Sequence, residues 1–497
     1  MNHKPEHTEL VEKILTGARW ATVLRLTAQI FSWLSTIFVV RFISPEDYGL
    51  NAMLESPLTL MILISTLGLD SALVQAKKIN TDELQSIFGW LLIVSGLLFL
   101  SYFFGGVVLA AYFNEPRLDM LAKVLSFIFL LVPFRVIPNA LLDRQLDFKL
   151  RAQLEMVATV VAVITTFVLA YLGAGVWALV SGVIVNKLLI AILLMIFKPW
   201  FIVPKLNFAI ARKLLFAGGI LTLINALFIL SSQLPSVIAG PQLGAALLGI
   251  YAISAQMAVL LLGKSMPVIT QTMLPAFSKF QDHRNSATYY LEKLLGVASL
   301  AFIPLFVGMA CVVDVLVPTV FGVQWLSSIL PMAIMSLGMM FRMNTLLLRT
   351  AMIGMGRADL ALKSNFLQLI MLLPMVIYAV QYGVIGLAAV SVVNEIFVAL
   401  ATTQLSKSTF NTTFISLLRC YRPALVSSAI MAACVMLNKA LLSNQSSMII
   451  LLTAILIGAA IYYLATRFLF ADELQTALKA VLGNRFAFPA PVHRKIK

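Results

Sequence analysis

The sequence has little charge. Only 11% of its 497 residues are Asp, Glu, Lys or Arg, while 61% are hydrophobic. A soluble domain has about 25% and 45–50%, respectively. That shortage excludes an ordinary soluble globular protein. Acids are the scarcer sign, 21 against 36 Lys and Arg, for a net charge of +15. The four histidines, His3, His7, His283 and His493, all lie outside the long apolar runs. The three cysteines, Cys311, Cys420 and Cys434, are far apart and show no CxxC or Cys/His spacing. Neither a metal centre nor a disulfide framework is indicated. There is no P-loop, no GxSxG and no DxD, so the expectation is a protein that is not an enzyme. Met1–Thr16 is polar and lacks the apolar core of a cleavable signal peptide.

What remains is a polytopic membrane protein. Mean hydropathy is +0.96, and the chain divides into about 14 apolar runs of membrane-crossing length. Their limits are 19–43, 50–74, 87–112, 120–142, 155–172, 175–197, 212–238, 247–272, 294–313, 327–350, 364–381, 384–404, 422–441 and 447–468. The expected fold is all-α, with tight turns at Ser44–Gly49, Gly173–Gly175 and Tyr382–Gly383. Basic residues collect in alternate loops: Lys77 and Lys78; Arg144, Lys149 and Arg151; Lys198 to Lys213; Lys279 to Lys293; Arg357 and Lys363; Lys407 to Arg422. Basic loops stay cytoplasmic, which puts both termini inside and Ser44–Gly49 outside. The net positive charge is thus read as orientation rather than nucleic-acid binding.

Two stretches echo each other. Gly173 to Ser181 resembles Gly383 to Ser391, and Ser44-Pro45…Gly49 resembles Gly240-Pro241…Gly249. Matching runs an even number of spans apart share an orientation, a parallel repeat. The expected organisation is a cytoplasmic segment 1–18, a six-helix bundle 19–197, a cytoplasmic linker 198–211, a second six-helix bundle 212–404, two added helices 422–468 and a cytoplasmic tail 469–497. In this register Gly173 falls on Gly383 and Pro45 near Pro241.

A charge at mid-bilayer costs at least roughly 2.5–3.5 kcal/mol and usually has a use. Arg25 begins a polar stripe, Arg25-Gln29-Ser32-Thr36, in the first run. Arg342, Thr345 and Arg349 form another, and Arg135 and Lys264 lie inside the fourth and eighth runs. Arg25, Gln29, Arg342, Lys264 and Arg135 are the candidate substrate-binding residues, lining a cationic cavity open to the cytoplasm. The competing reading is snorkelling to the interface, favoured for Arg349 near the end of its run. Lys187 and Glu395 are mid-run and repeat-related, either structural or tied to a coupling ion, and either paired together or with other groups. Glu55 is placed near the outer interface. No resident cofactor is expected, with H+ or Na+ as candidate coupling cations.

Ile43 to Leu50, ISPEDYGL, followed by Leu67 to Gln75, LGLDSALVQ, resembles the first hairpin of bacterial polysaccharide flippases of the multidrug/oligosaccharidyl-lipid/polysaccharide exporter superfamily. Leu142 to Phe148 (LDRQLDF), Leu274 to Gln281 (LPAFSKFQ) and Phe321 to Trp325 (FGVQW) are similar to later family motifs. An acid common in relatives is absent from Ser231 to Gly240, which is SSQLPSVIAG here. The resemblance implies a flippase of polyprenyl-pyrophosphate-linked oligosaccharide in the bacterial inner membrane. Its partners would be that substrate, membrane lipids and a polysaccharide polymerase or assembly complex, with no nucleic acid. The alternatives are a drug exporter of the same superfamily and a non-transporting assembly scaffold. Drug exporters of cations favour buried acids, and the inner set here is cationic.

Overall fold

A computed structural model describes residues 37–66, 80–200, 202–206 and 219–481, with isolated residues at 24, 27, 31 and 73. Nearly all of the first expected run, with Arg25 and Gln29, lies outside the described residues, as does the end of the second. The described residues are all-helical, with no strand among them. Among the described residues, ten helices are long and apolar enough to cross a membrane, or eleven counting one bent pair. The chain falls into two compact units: residues 1–254, 320–328 and 365–390, and residues 255–319, 329–364 and 391–497.

In the first unit, α1 (Pro45–Thr66) begins earlier than expected. The expected turn at Ser44–Gly49 is wrong by one turn of helix: the chain reverses at Arg41–Ser44, and Pro45–Gly49 is already helical. Proline at the first helical position loses no hydrogen bond and has the right φ. Ser44 caps the helix, its Oγ accepting from the Asp47 N–H at 3.1 Å, and Glu46 and Asp47 sit at the positive end of the dipole. Gln324 and Trp325 hold the preceding turn. The Gln324 amide donates to the Arg41 carbonyl and the Trp325 indole N–H to the Val40 carbonyl, each at 2.9 Å. The buried Trp325 ring stands edge-on to Tyr48, 5.7 Å between centroids.

Helix α2 (Thr81–Phe113) reverses at Asn114 into α3 (Arg117–Leu130). Pro133 then ends the ladder, and α4 (Pro133–Arg144) departs at 41°. The expected run 120–142 is therefore two helices. Helices α5 (Phe148–Tyr171) and α6 (Val176–Phe197) form a hairpin at the expected turn, with Gly173 and Gly175 at φ +79° and +57°. The linker is strapped to α2 rather than free. Trp200 joins a core with Leu73, Phe88, Leu91 and Val136. The Lys205 N–H donates to the Gln85 carbonyl at 3.1 Å.

Helix α7 (Gly219–Ser278) joins two expected runs across one non-helical residue, Gly244, at φ 74° and ψ 173°. The halves of α7 divide between the units at Ser254. The start of its second stretch interlocks with α1. A Cβ on Gly49 would stand 1.7 Å from the Ala245 carbonyl oxygen, and one on Gly249 would stand 1.8 Å from the Pro45 oxygen. Each glycine thus receives the first carbonyl of the other helix, a close approach only glycine permits. Pro45 and Ala245 supply the two carbonyls, and Pro241 lies before the break at Gly244. Gly383, at φ 67° and ψ −153°, has a conformation close to that of Gly175, at 57° and −132°.

The second unit contains α8 (Arg284–Leu316), α9 (Ile329–Gly354), α12 (Phe414–Leu441), α13 (Ser447–Leu469) and a short α14 (Ala471–Val481). It also holds the start of α10 (Ala358–Ala379) and most of α11 (Gly383–Ser406). The residues expected to form a cytoplasmic tail include α14, whose Ala477 packs against Leu300, Ile303 and Ala424. Polar bonds tie α12 and α13 to α8. Lys439 reaches the Cys311 carbonyl at 2.7 Å and Asp314 at 2.6 Å, and the Tyr462 hydroxyl donates to the Leu300 carbonyl at 2.7 Å. Gln281 donates to the Gly354 carbonyl at 3.0 Å and thereby caps α9.

The interlock sets a prediction. Gly49→Ala is expected to lower the unfolding midpoint of detergent-solubilised protein by several degrees, in line with about 1–3 kcal/mol for overpacking. Gly96→Ala and Gly105→Ala on α2, where an added methyl meets nothing within 4 Å, are expected to leave it unchanged or raised. Intrinsic-fluorescence melting of the three variants checks this, and equal midpoints would show that the interlock yields.

Candidate functional site: buried charge clusters

Each unit carries a charge cluster on its spanning helices. In the first, Arg135 lies two residues past Pro133 in the first turn of α4, and Lys187 is at mid-length on α6. Glu155 sits on α5. Lys187 lies within electrostatic range of both Arg135 and Glu155. Arg151 fixes Glu155 from one turn away, Nε to Oε1 at 2.9 Å, and also pairs with Asp143. Arg135, Lys187 and Arg151 thus lie near Glu155 and Asp143. Arg144, of the LDRQLDF motif, is spent elsewhere: it donates to the Leu73 carbonyl at 2.9 Å.

In the second unit, Arg342 at mid-length on α9 pairs with Glu395 at mid-length on α11, Nη1 to Oε1 at 3.2 Å. Glu395 is the more buried, its side chain 8% exposed against 19% for Arg342. Arg349, two turns further along α9, lies within electrostatic range of both. Seven residues is close to two full turns, so both guanidinium groups share a helix face. The Arg349 Nε donates to the Ser364 Oγ at 3.0 Å, and Ser364 shares a hydrogen bond of 2.5 Å with Thr402. Arg349 is only 6% exposed. The snorkelling expectation for it is therefore corrected: its head is held inward by Ser364 on α10. Both arginines thus lie within range of the Glu395 carboxylate.

Of the candidate residues, Arg135 and Lys187 are brought together, and so are Arg342 and Glu395. Lys187 and Glu395 fall in different units. Arg25 and Gln29 are outside the described residues, and for Lys264 only the helical backbone is described. Glu55 lies ten residues into α1, about 15 Å along its axis. That is deeper than expected, because the helix starts at Pro45. Sequence reasoning missed Ser364, Thr402, Glu155 and the pair Tyr421–Asn344, whose hydroxyl donates to the amide oxygen at 2.7 Å. Hydroxyl residues in apolar runs are ordinary, and nothing in their spacing marks these as partners. No group of three or more His, Cys, Asp or Glu converges among the described residues.

The chemistry these groups offer is that of basic side chains held inside apolar helices. Arginine holds phosphate or carboxylate oxygens in a planar fork.

Comparison with known proteins gives the family and the fold class. Residues 38–330, more than half of the chain, match a family described as polysaccharide biosynthesis protein. The chain belongs to this family. Similar relatives include the lipopolysaccharide biosynthesis protein WzxC of Escherichia coli K12, 25% identical over 78% of this chain and 80% of the relative. Another is the teichuronic acid biosynthesis protein TuaB of Bacillus subtilis, 23% identical over 71% and 73%. The fold is shared with a structure of the lipid II flippase MurJ in an inward closed conformation, at TM-score 0.73, 17% identity, 91% of this chain and 99% of that one. A multidrug resistance MATE transporter in an inward-facing conformation follows at TM-score 0.56, 16% identity, 78% and 99%. These likenesses establish the fold class, and with the apolar helices they make this a multi-pass membrane protein of polysaccharide biosynthesis. Within Ser231 to Gly240, the stretch without an acid, Gln233 accepts from the Ser56 hydroxyl at 3.0 Å.

Burial of Arg349 has a measurable consequence. Arg349→Ala leaves the Ser364 hydroxyl without its guanidinium, and the variant is expected to lose about 1–3 kcal/mol. The loss should appear as a lower melting midpoint and less protein in the membrane fraction. A variant with both unchanged would return Arg349 to the interface.

Proposed function

We propose that this protein is a flippase carrying a polyprenyl-pyrophosphate-linked oligosaccharide from the inner to the outer leaflet of the bacterial inner membrane. The observation that carries the reading is the two pairs of basic side chains that lie within electrostatic range of one another on the apolar helices, Arg135 with Lys187 and Arg342 with Arg349. Basic groups in a poorly hydrated site attract an anionic ligand. A pyrophosphate joined to a lipid tail supplies one at membrane depth. Membership in a polysaccharide biosynthesis family and a fold shared with a lipid flippase support the same reading. The protein acts as a transporter without bond chemistry. A bilayer bars the sugar because its hydroxyls have no partners in hydrocarbon. The protein offers them a polar path open to one face at a time, while the prenyl tail stays in lipid. A cation-exporting role is disfavoured, because the clusters have the sign that repels such a substrate. Arg25 and Gln29 belong to this path, with Arg135, Lys264 and Arg342, and H+ or Na+ is the candidate coupling cation. A polymerase or assembly complex would take the product.

Complementation of a deletion strain tests the reading. Arg25→Ala is expected to abolish surface glycan at normal membrane level, and Arg25→Lys to restore it in part, since charge survives while the bidentate fork does not. Lipid-linked oligosaccharide should accumulate on depletion, read by mass spectrometry of extracted lipids. Full complementation by Arg25→Ala would remove that residue from the path, and no accumulated lipid-linked sugar would reject the substrate.

The basic loops set the orientation, with both termini cytoplasmic. Reporter fusions at Lys205 and Lys279 should read inside, and those at Asp47 and Gln324 outside. Reversed signals at two or more of these sites would overturn it.

A further inference from the structure

Resting on the orientation set by the basic loops, we infer that the inner end of α11 holds an anionic phospholipid of the cytoplasmic leaflet, its phosphate on Lys407 and one acyl chain in the cavity beside it. The cavity measures about 410 Å³ and lies within the second unit. Ordinary ligand cavities run from roughly 300 to 1,000 Å³. Its wall is apolar: Phe397, Leu400 and Ala401 of α11, with Phe414 at the first position of α12. Gln404 and Lys407 follow toward and just past the end of α11. Residues 397, 400, 401 and 404 are three and four apart, so they form one stripe along the helix. Lys407 is ten residues beyond Phe397, or about 15 Å of helix rise. That is half of the roughly 30 Å hydrocarbon core, the depth of one leaflet. An acyl chain has the length of a leaflet by construction, whereas a polyprenyl carrier is longer. A polar mouth over an apolar wall of this depth fits a phospholipid lying along the helix.

Charge complementarity fixes the sign of the headgroup. Lys407 and Gln404 are both exposed, and neither side-chain head has a partner among the described residues. Arg284, in the first turn of α8, brings a second cation to the same place. Its Nη2 donates to the Lys407 carbonyl at 2.5 Å and to the Phe410 carbonyl at 3.3 Å. The loop 407–413 is pinned further along. The Asn411 N–H donates to the Thr288 hydroxyl and the Asn411 side-chain amide to the Asn285 oxygen, each at 3.1 Å. Phe410 is buried and stands edge-on to Phe277, 6.0 Å between centroids. The mouth is therefore preformed, and binding orders little of the chain. Basic residues beside spanning helices draw anionic lipids of the cytoplasmic leaflet. A lipid seated here touches both the end of α11 and the start of α12, and so braces the joint between them.

The test uses the full-length protein in detergent, with dioleoyl phosphatidylglycerol and dioleoyl phosphatidylcholine as probes, which share chains and differ in charge. A ligand of the folded state raises the melting midpoint. Phosphatidylglycerol is expected to raise it by several degrees and to persist as an adduct in native mass spectrometry, and phosphatidylcholine to do neither. Lys407→Ala should bind phosphatidylglycerol about fivefold more weakly, the worth of one lysine at a lipid surface, and Lys407→Arg should keep wild-type binding. Ala401→Trp fills the cavity and should remove the adduct; Leu400→Gln, at an exposed position, serves where the tryptophan variant fails to fold. Lys363→Ala, near the start of α10 and outside the cavity lining, should change nothing. Equal effects of the two lipids would overturn the inference, and so would full phosphatidylglycerol binding by both Lys407→Ala and the cavity variant. Binding of farnesyl pyrophosphate that displaces phosphatidylglycerol and is lost in Lys407→Ala would make the cavity a substrate subsite and overturn it too. Reversed reporter fusions would overturn the leaflet assignment alone. The flippase reading stands or falls separately, on the accumulated lipid-linked sugar.

Discussion

Hydrocarbon offers a charged side chain no partner, so each charge on a spanning helix must be matched from another helix or from a ligand. This constraint accounts for most of the polar geometry in the protein. Arg342 and Glu395 meet across α9 and α11, Arg151 satisfies Asp143 and Glu155, and Arg349 reaches Ser364. These contacts are few, and they sit on helices whose remaining side chains are almost all apolar. They set the rotation of each helix within its unit more sharply than apolar contacts can, because Leu against lipid and Leu against Leu differ little in free energy.

The backbone imposes the complementary constraint. Where two helices approach closely, side chains must vanish, and Gly49 and Gly249 let α1 and α7 touch carbonyl to Cα. The exchange is reciprocal: each glycine sits four residues after a helix start, and each meets the first carbonyl of the other helix. Such an arrangement follows when two copies of one start signal face each other. The break before Pro45 comes from a serine cap and a proline, while the break before Ala245 comes from a glycine at φ 74°. Different residues thus make the same geometry, which explains why the echo between the stretches is faint in the sequence and tight in space.

Much of the fold was legible because its signals are local. Gly173–Gly175 and Tyr382–Gly383 mark turns in both sequence and structure, since positive φ needs glycine and the neighbours are apolar. The start of α1 was misread for a related reason: Pro45 to Gly49 contains the residues of a turn, but the same residues open a helix when a serine precedes the proline. The gap between the expected runs 212–238 and 247–272 contains Gly244, where α7 has its one non-helical residue. The candidate site was legible only in its charges. Arg342, Arg135, Lys187 and Glu395 stand out against apolar runs, yet their partners depend on which helices adjoin. The sequence distance between Arg342 and Glu395 carries no trace of their 3.2 Å contact. Ser364 and Thr402 were beyond reach altogether, because a hydroxyl that bonds its own helix and one that holds an arginine look alike in sequence.

The second cluster shows how one acid can serve two bases. Arg342 and Arg349 share a helix face two turns apart, where like charges repel, and Glu395 within electrostatic range of both offsets that repulsion. The carboxylate sits on a neighbouring helix, so the attraction also fixes α11 against α9. Ser364 bonds Arg349 from α10, and the same arginine thus ties a third helix to the pair. Removing either partner of a buried pair costs more than the pair contributes, because the remaining charge has no water to turn to.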